Sequence, residues 1–313
     1  MENGSVSKSE QRRGLVTALM CYIIWGLLPI FWKMLDEVNP FEIIAQRIIW
    51  CFVCMLIIST LTHQYVTDLL KDKRAWRYLG PAAALVTVNW SIFIYAVSAD
   101  HIVETSIGYY INPLFTILMG VIVFRERLTK LQLAALALCT IGVVYFTVKY
   151  GQFPWIAILL AVTFSIYSAI KKKGGYPAIP AIAFENVLMV GPAIAFAVII
   201  AKTTGSHAFA SDLGTSHGIY LTIMLIVAGI LTALPLSLFS SAANLIPLSV
   251  IGFIQYLAPT LSLLVAVLMF GEPFTLAHKV CLGFIWVGLA LISFESVRTE
   301  RTKRQDAQGG TQE

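Results

Sequence analysis

Long apolar runs, broken by short polar segments, repeat along the whole chain. A run of about 18 or more apolar residues can cross the roughly 30 Å hydrocarbon core of a bilayer as a helix. Runs such as VGPAIAFAVIIA lack the alternation that a membrane β-strand requires. The pattern therefore predicts ten spans, which we place at 14–35, 41–62, 76–98, 102–124, 130–148, 154–170, 179–201, 218–240, 245–270 and 275–296.

The composition agrees with an all-α polytopic membrane protein. Of the 313 residues, 58% are hydrophobic and 12% are charged, whereas roughly a quarter of the residues in a soluble domain are charged. All five cysteines fall in apolar segments, which argues against a disulfide framework or a zinc site. We predict no metal, no cofactor and no nucleic-acid partner, and we read the first span as a retained anchor rather than a signal peptide.

The basic residues predict the orientation, because positively charged loops stay in the cytoplasm. If the N-terminus is inside, four Lys lie in outer segments, Arg47 lies within a span, and 17 basic residues lie inside. The inner set is Lys8, Arg12, Arg13, Lys71, Lys73, Arg74, Arg77, Arg125, Arg127, Lys130, Lys171, Lys172, Lys173, Arg298, Arg301, Lys303 and Arg304. We therefore expect a multi-pass protein of the cytoplasmic membrane with both termini in the cytoplasm.

An internal repeat appears when the sequence is shifted by 146 residues. The stretch GYYINPLFTILMGVIVFRERLTK then lies over IQYLAPTLSLLVAVLMFGEPFTLA. The shift pairs Tyr110 with Tyr256, Pro113 with Pro259, Phe124 with Phe270, Glu126 with Glu272, Thr129 with Thr275 and Gly142 with Gly288. We expect the paired glutamates to be structural, capping helix ends or pairing with nearby bases.

The two copies are predicted to run in opposite directions, because an odd number of spans separates them. Two halves related in this way can exchange outward-open and inward-open shapes around a central site. The predicted organisation is a cytoplasmic N-terminal tail (1–13), a first repeat (14–148), a second repeat (149–296) and a cytoplasmic C-terminal tail (297–313).

Arg47 lies about six residues inside the second span, in FEIIAQRIIWCF. A charge exposed to lipid at the bilayer centre costs at least about 2.5–3.5 kcal/mol, so we expect it to face a cavity or a carboxylate. Snorkelling to the outer headgroups, or a purely structural ion pair, is the alternative. We predict an outer pair with Glu104. Glu185 is predicted to be a separate inner carboxylate for a substrate amine or a proton, or else a solvated residue at the start of its helix.

Uncharged polar and aromatic residues inside predicted spans extend the candidate cavity. Each places a hydrogen-bonding group where lipid cannot satisfy it, although aromatic residues also serve as packing or interfacial belts. Trp25 and Trp32 are candidates for flat apolar walls. The other candidates are Asn89, Trp90, Tyr109, Tyr110, Asn112, Gln255 and Tyr256.

Several stretches resemble the RarD subfamily of EamA transporters, in the drug/metabolite transporter superfamily. They are YIIWGLLPIFWK, EIIAQRIIW, NWSIFIYAV, ETSIGYYINPL, FRERL, GFIQYLAPTL and FIWVGLALI, in the family's order over about residues 14–296. One departure is Arg125 in FRERL, where the family pattern leads us to expect glycine. The resemblance carries a substrate-binding or gating role to Trp25, Arg47, Asn89, Trp90, Glu104, Tyr109, Asn112, Glu185, Gln255 and Tyr256.

The resemblance implies two inverted five-helix repeats and a permease, often an exporter, of small organic molecules. We accordingly expect a non-enzymatic transporter that works by alternating access, as a monomer or a homodimer. Two alternatives stay open: a passive, channel-like pore and a membrane-embedded lipid-modifying enzyme. Such an enzyme needs clustered carboxylates or a His and carboxylate pair, whereas the five histidines here are scattered.

Overall fold

The computed structural model describes residues 7–99, 101–205 and 207–309, with the side chains at 94, 97, 98, 102, 103 and 296–309 left undescribed. The described residues form helices joined by turns and loops, with no strand among them. The helices are α1 (Lys8–Lys33), α2 (Pro40–Leu61), α3 (Val66–Lys71), α4 (Lys73–Ser98), α5 (Ile102–Phe124), α6 (Lys130–Tyr150), α7 (Trp155–Gly174), α8 (Ala178–Thr204), α9 (Ser216–Leu245), α10 (Leu248–Gln255), α11 (Leu257–Phe270) and α12 (Leu276–Gly309).

Each of the ten predicted spans corresponds to a helix or a helix pair. In the described residues, nine helical segments are long and apolar enough to cross a membrane. The remaining predicted span coincides with α4, which includes positions outside the described side chains. The short α3 was not predicted from the hydrophobic pattern. The chain is thus an all-α polytopic membrane protein.

The ninth span is broken, because α10 ends at Gln255 and α11 begins at Leu257. Pro259 lacks the N–H that would bond to the carbonyl of Gln255 one turn earlier, so the helix is weakened at this point. The amide of Tyr256 instead donates to the carbonyl of Phe253, at 3.3 Å. In the first repeat α5 stays continuous around Pro113.

The two repeats interlock rather than lying side by side. The most extensive contacts join a helix before residue 150 to one after it: α5 packs on α7, α6 on α12, α2 on α8 and α9, and α1 on α9. We call the end of the bundle where α1 begins the terminal end, and the opposite end the distal end. The helix order makes α5 run toward the terminal end and the α10–α11 pair toward the distal end, so the paired motifs are antiparallel.

The last helix corrects one predicted boundary. We expected the tenth span to end near 296, but α12 continues to Gly309, because no proline or glycine interrupts the polar sequence before Gly309. Residues 1–6 and 310–313 of the two predicted tails lie outside the described residues, as do the side chains of Arg298, Arg301, Lys303 and Arg304.

Arg125, where the resemblance leads us to expect glycine, lies at the C-cap of α5 with a positive φ of 54°. Its counterpart in the second repeat, Gly271, ends α11 with a φ of 69°. Left-handed backbone costs a residue with a side chain roughly 1–2 kcal/mol, and glycine avoids this cost. The left-handed backbone at this position explains why the family pattern favours glycine, and this chain has Arg125 there instead.

Candidate functional site

Arg47 lies between helices of both repeats and has aromatic neighbours. Its guanidinium carbon is 4.8 Å from the ring centroid of Trp90 on α4 and 5.4 Å from that of Trp32 on α1. Both distances are within the range of a cation–π interaction. The side chain is partly exposed, so it is not sealed inside the helix packing.

Thr232 on α9 fixes one side of the guanidinium. Nε of Arg47 donates to the Thr232 hydroxyl at 3.1 Å, while that hydroxyl donates to the carbonyl of Ala228 at 2.8 Å. Gly229 brings α9 close enough for this bond, because a Cβ at that position would overlap Trp50 and Cys51 on α2. Small residues allow such close approach of membrane helices.

Tyr109 on α5 extends the group of residues around Arg47. It is 52% exposed, and it lies close enough to Arg47 for the two side chains to interact electrostatically. We call this group of side chains, Arg47 with Trp32, Trp90, Tyr109 and Thr232, the crevice.

The predicted pair between Arg47 and Glu104 is wrong. Glu104 instead accepts a hydrogen bond from the amide of Ile156 at 3.1 Å, from the hydroxyl of Tyr150 at 3.4 Å, and lies 3.0 Å from Nδ1 of His101. Ile156 lies in the first turn of α7, whose free N–H groups attract a carboxylate. Glu104 therefore joins α5 to the start of α7 at the distal end.

Glu185 is also engaged, and the prediction of a carboxylate available to a substrate is not met in this structure. One oxygen lies 2.7 Å from Nζ of Lys171, and the other accepts from the hydroxyl of Tyr167 at 3.1 Å. The side chains of Lys171 and Glu185 are only 2% and 3% exposed. Lys171, which we assigned to an inner loop, thus lies in a buried ion pair between α7 and α8.

Four other candidates lie in helix packing. Asn89 donates to the carbonyl of Leu160 and to the hydroxyl of Thr163, both at 2.8 Å, and so joins α4 to α7. The hydroxyl of Tyr110 donates weakly to the carbonyl of Pro259 at 3.5 Å. Tyr110 packs with Tyr256 in one buried cluster, and Gln255 is buried at the end of α10.

Two candidates are partly exposed. Trp25 contacts Tyr22, Phe164 and Phe239 in an aromatic cluster between α1, α7 and α9. The side-chain oxygen of Asn112 accepts from Thr116 within α5 at 3.5 Å. Of the eleven candidate site residues, the structure thus brings Arg47, Trp90 and Tyr109 together and distributes the others through the bundle.

Sequence reasoning missed Thr232, Lys171 and Tyr167. Thr232 stands in the apolar stretch ILTALPL, and Lys171 is the first of three consecutive lysines at the end of a span. No local pattern separates a buried lysine from its solvated neighbours. Only the approach of α8 and α9 identifies these partners.

Comparison with known proteins gives the same family from two directions. Residues 12–148 match the EamA-like transporter family. An uncharacterized transporter of Bacillus subtilis (strain 168), YojE, is 33% identical over 301 residues, which cover 95% of this chain and 98% of that protein. Protein RarD of Escherichia coli (strain K12) is 34% identical over 294 residues, covering 93% and 97% of the two chains.

A solved structure supports the fold independently. A crystal structure of a protein superimposes with a TM-score of 0.69, at 18% sequence identity, and covers 93% of this chain and 99% of its own. At this identity the similarity concerns the arrangement of the helices.

Proposed function

The chain belongs to the EamA-like transporter family, and from this premise we propose that it is a permease that moves small organic solutes across the cytoplasmic membrane by alternating access to the crevice. The proposed net direction is export. The crevice favours binding over catalysis, because Arg47 contacts a threonine and aromatic rings rather than a nucleophile with its base. The repeat boundaries at 14–148 and 149–296 are part of the proposal.

A difference between the paired glutamates carries the alternating-access proposal. At the terminal end, the carboxylate of Glu126 accepts from the amides of Leu248 and Ser249, each at 2.8 Å, and so caps α10. At the distal end, its repeat counterpart Glu272 is exposed and has no side-chain hydrogen bond or ion pair with the described residues. The junction before α10 is therefore joined to Glu126 by hydrogen bonds, whereas the corresponding junction at Glu272 has no such bond among the described residues.

Other contacts hold the terminal end together. Nζ of Lys172 donates to the carbonyls of Ala243 and Ile246 at the end of α9. Gly120 lies against Glu126 and Ser249 so closely that a Cβ would be 2.6 Å and 2.8 Å from them. We propose that this is the form closed at the terminal end, and that exchange of the two junctions produces the opposite form.

The basic residues favour a cytoplasmic terminal end, so the crevice near the distal end is open to the outside in this form. Trp32, in the last turn of α1, lies over Arg47 and places that residue near the distal end.

Site-directed labelling tests both the closure and the orientation. A reporter cysteine replaces Tyr109 in a chain whose five native cysteines are changed to alanine. We expect a membrane-impermeant maleimide to label it from outside intact cells and to react slowly from the cytoplasmic side of inverted vesicles. Glu126→Ala should increase cytoplasmic labelling several-fold, because the α10 cap is lost. Glu272→Ala is the matched control and should not increase cytoplasmic labelling, because it leaves the α10 cap in place.

The outcomes separate a carrier from the alternatives. Equal labelling from both sides of the otherwise unchanged reporter protein would contradict alternating access and favour a passive pore. Labelling only from the cytoplasmic side would overturn the orientation. In proteoliposomes, acceleration of uptake by solute on the opposite side is expected of a carrier and is absent from a pore.

A further inference from the structure

Arg47 carries a charge that no carboxylate of the described chain neutralises within salt-bridge distance. The only hydrogen bond of its guanidinium to the described residues is the one from Nε to Thr232. A guanidinium has several further N–H donors, arranged as a planar fork that matches a carboxylate. Arg47 is therefore held in place by its neighbours but is not neutralised by them, and several of its N–H groups have no acceptor among the described residues.

The carboxylates of the surrounding helices are engaged elsewhere. Glu42, five residues earlier on α2, accepts from the amide of Phe209 at 2.9 Å. Glu104 caps α7, and Glu185 is bound by Lys171 and Tyr167. Since an uncompensated charge within a membrane bundle is costly, a counter-charge from outside the chain would gain more here than at the protein surface.

The surroundings of Arg47 also limit the shape of the bound group. Trp32 and Trp90 restrain the guanidinium, which lowers the entropy lost on binding. Tyr109 adds a half-exposed aromatic face and a hydroxyl. A flat apolar group can pack on that face while an attached anion reaches Arg47.

We propose that the crevice binds an organic carboxylate whose anionic group is joined to a flat, apolar body. The carboxylate accepts two parallel hydrogen bonds from Arg47, and the flat body packs on Tyr109. The inference rests on the proposed transport function, and it assigns a substrate class to the same site. It also explains why Arg47 has no carboxylate partner among the described residues, whereas Glu185 is paired with Lys171.

Binding to purified full-length protein in nanodiscs tests the proposal without requiring transport. The probes are benzoate, 3-phenylpropionate and indole-3-acetate, each compared with its uncharged amide. We expect at least one carboxylate to raise the thermal stability and to quench the tryptophan fluorescence, since Trp32 and Trp90 flank Arg47. Its amide should bind at least about tenfold more weakly, because a charge-assisted hydrogen bond is lost.

Variants locate the binding. Arg47→Gln should abolish the preference for the carboxylate over the amide, and Arg47→Lys should weaken carboxylate binding at least about tenfold, because lysine lacks the planar fork. Lys33→Gln is the matched control, since Lys33 is an exposed base at the distal end that pairs with Asp36, and it should bind as the unsubstituted protein does. The unliganded melting temperature of each variant establishes that it is folded.

Three results would overturn the inference: equal binding of acid and amide, a carboxylate preference that persists in folded Arg47→Gln, or no binding of any of the three acids to the folded, unsubstituted chain. Failure of the transport proposal would appear differently, as carboxylate binding without trans-stimulated flux. A carrier that exchanges only neutral or cationic solutes would preserve the proposed function and reject this substrate class.

Discussion

Arg47 and Glu185 lie at the same distance from the first residues of two helices that pack against each other, yet their surroundings differ. Arg47 lies seven residues after Pro40, the first residue of α2, and Glu185 lies seven residues after Ala178, the first residue of α8. Glu185 is buried with an ammonium and a phenol. Arg47 is partly exposed and has a threonine and two indoles.

The difference shows that a charge within the membrane can have two uses. The Glu185 pair is internally satisfied, so its removal should disturb folding. The charge of Arg47 is not balanced by a carboxylate, so its removal should disturb ligand binding. Stability and binding, measured on the same variants, therefore separate the two residues.

The largest expected effect is on stability. Glu185→Gln leaves the buried ammonium of Lys171 without its counter-charge, and breaking a buried pair in this way costs about 3–5 kcal/mol of unfolding free energy. Arg47→Gln should change the unfolding free energy by much less, because no ion pair is broken. Thermal or denaturant unfolding in detergent measures both. Equal losses in the two variants would remove the distinction between the sites.

A paired substitution serves as the control for Glu185→Gln. Replacing a buried ion pair by apolar residues of similar volume is often nearly neutral, so Lys171→Met combined with Glu185→Met should recover most of the lost stability. If the double variant is as unstable as Glu185→Gln, the loss does not come from the unpaired charge.

A smaller effect is expected from the second partner of Glu185. Tyr167→Phe removes the hydroxyl that donates to the carboxylate, and hydrogen bonds to charged groups contribute about 1.5–3 kcal/mol. The ring continues to stack on Phe239, so packing is preserved. A reduced unfolding free energy with unchanged 3-phenylpropionate affinity would agree with a structural role, and a change in affinity alone would contradict it.

The smallest stability effect is expected at the partner of Arg47. Thr232→Val removes an interhelical hydrogen bond to a guanidinium that is partly exposed, unlike the buried carboxylate of Glu185. We therefore expect a loss near the average for interhelical bonds in membrane bundles, about 0.6 kcal/mol. We expect 3-phenylpropionate to bind a few-fold more weakly, because Nε of Arg47 loses the group that orients it. Titration calorimetry checks the affinity. A large loss of stability with unchanged affinity would place Thr232 with the Glu185 group instead.

Features of the site that depend on neighbouring residues could be predicted from the sequence, and contacts between distant segments could not. The unusual position of Arg47 in an apolar run is visible in the sequence, since a charge there requires a special environment. Its partner was predicted to be Glu104, because both lie near the outer ends of their spans. That choice failed because the start of α7 supplies free N–H groups to Glu104, and this depends on how two distant segments meet.

The sequence by itself determined the helical class, the ten spans and the antiparallel repeat. Run length, loop charge and the repeated Tyr, Pro and Glu residues can all be read directly from the order of residues, without knowing how the helices pack. The tertiary structure alone decided which charges are neutralised. Approach of α8 to α7 pairs Glu185 with Lys171, and close packing of α9 on α2 gives Arg47 a threonine rather than a carboxylate. Distances of a few ångströms between helices decide such interactions, and hydrophobic periodicity does not encode those distances.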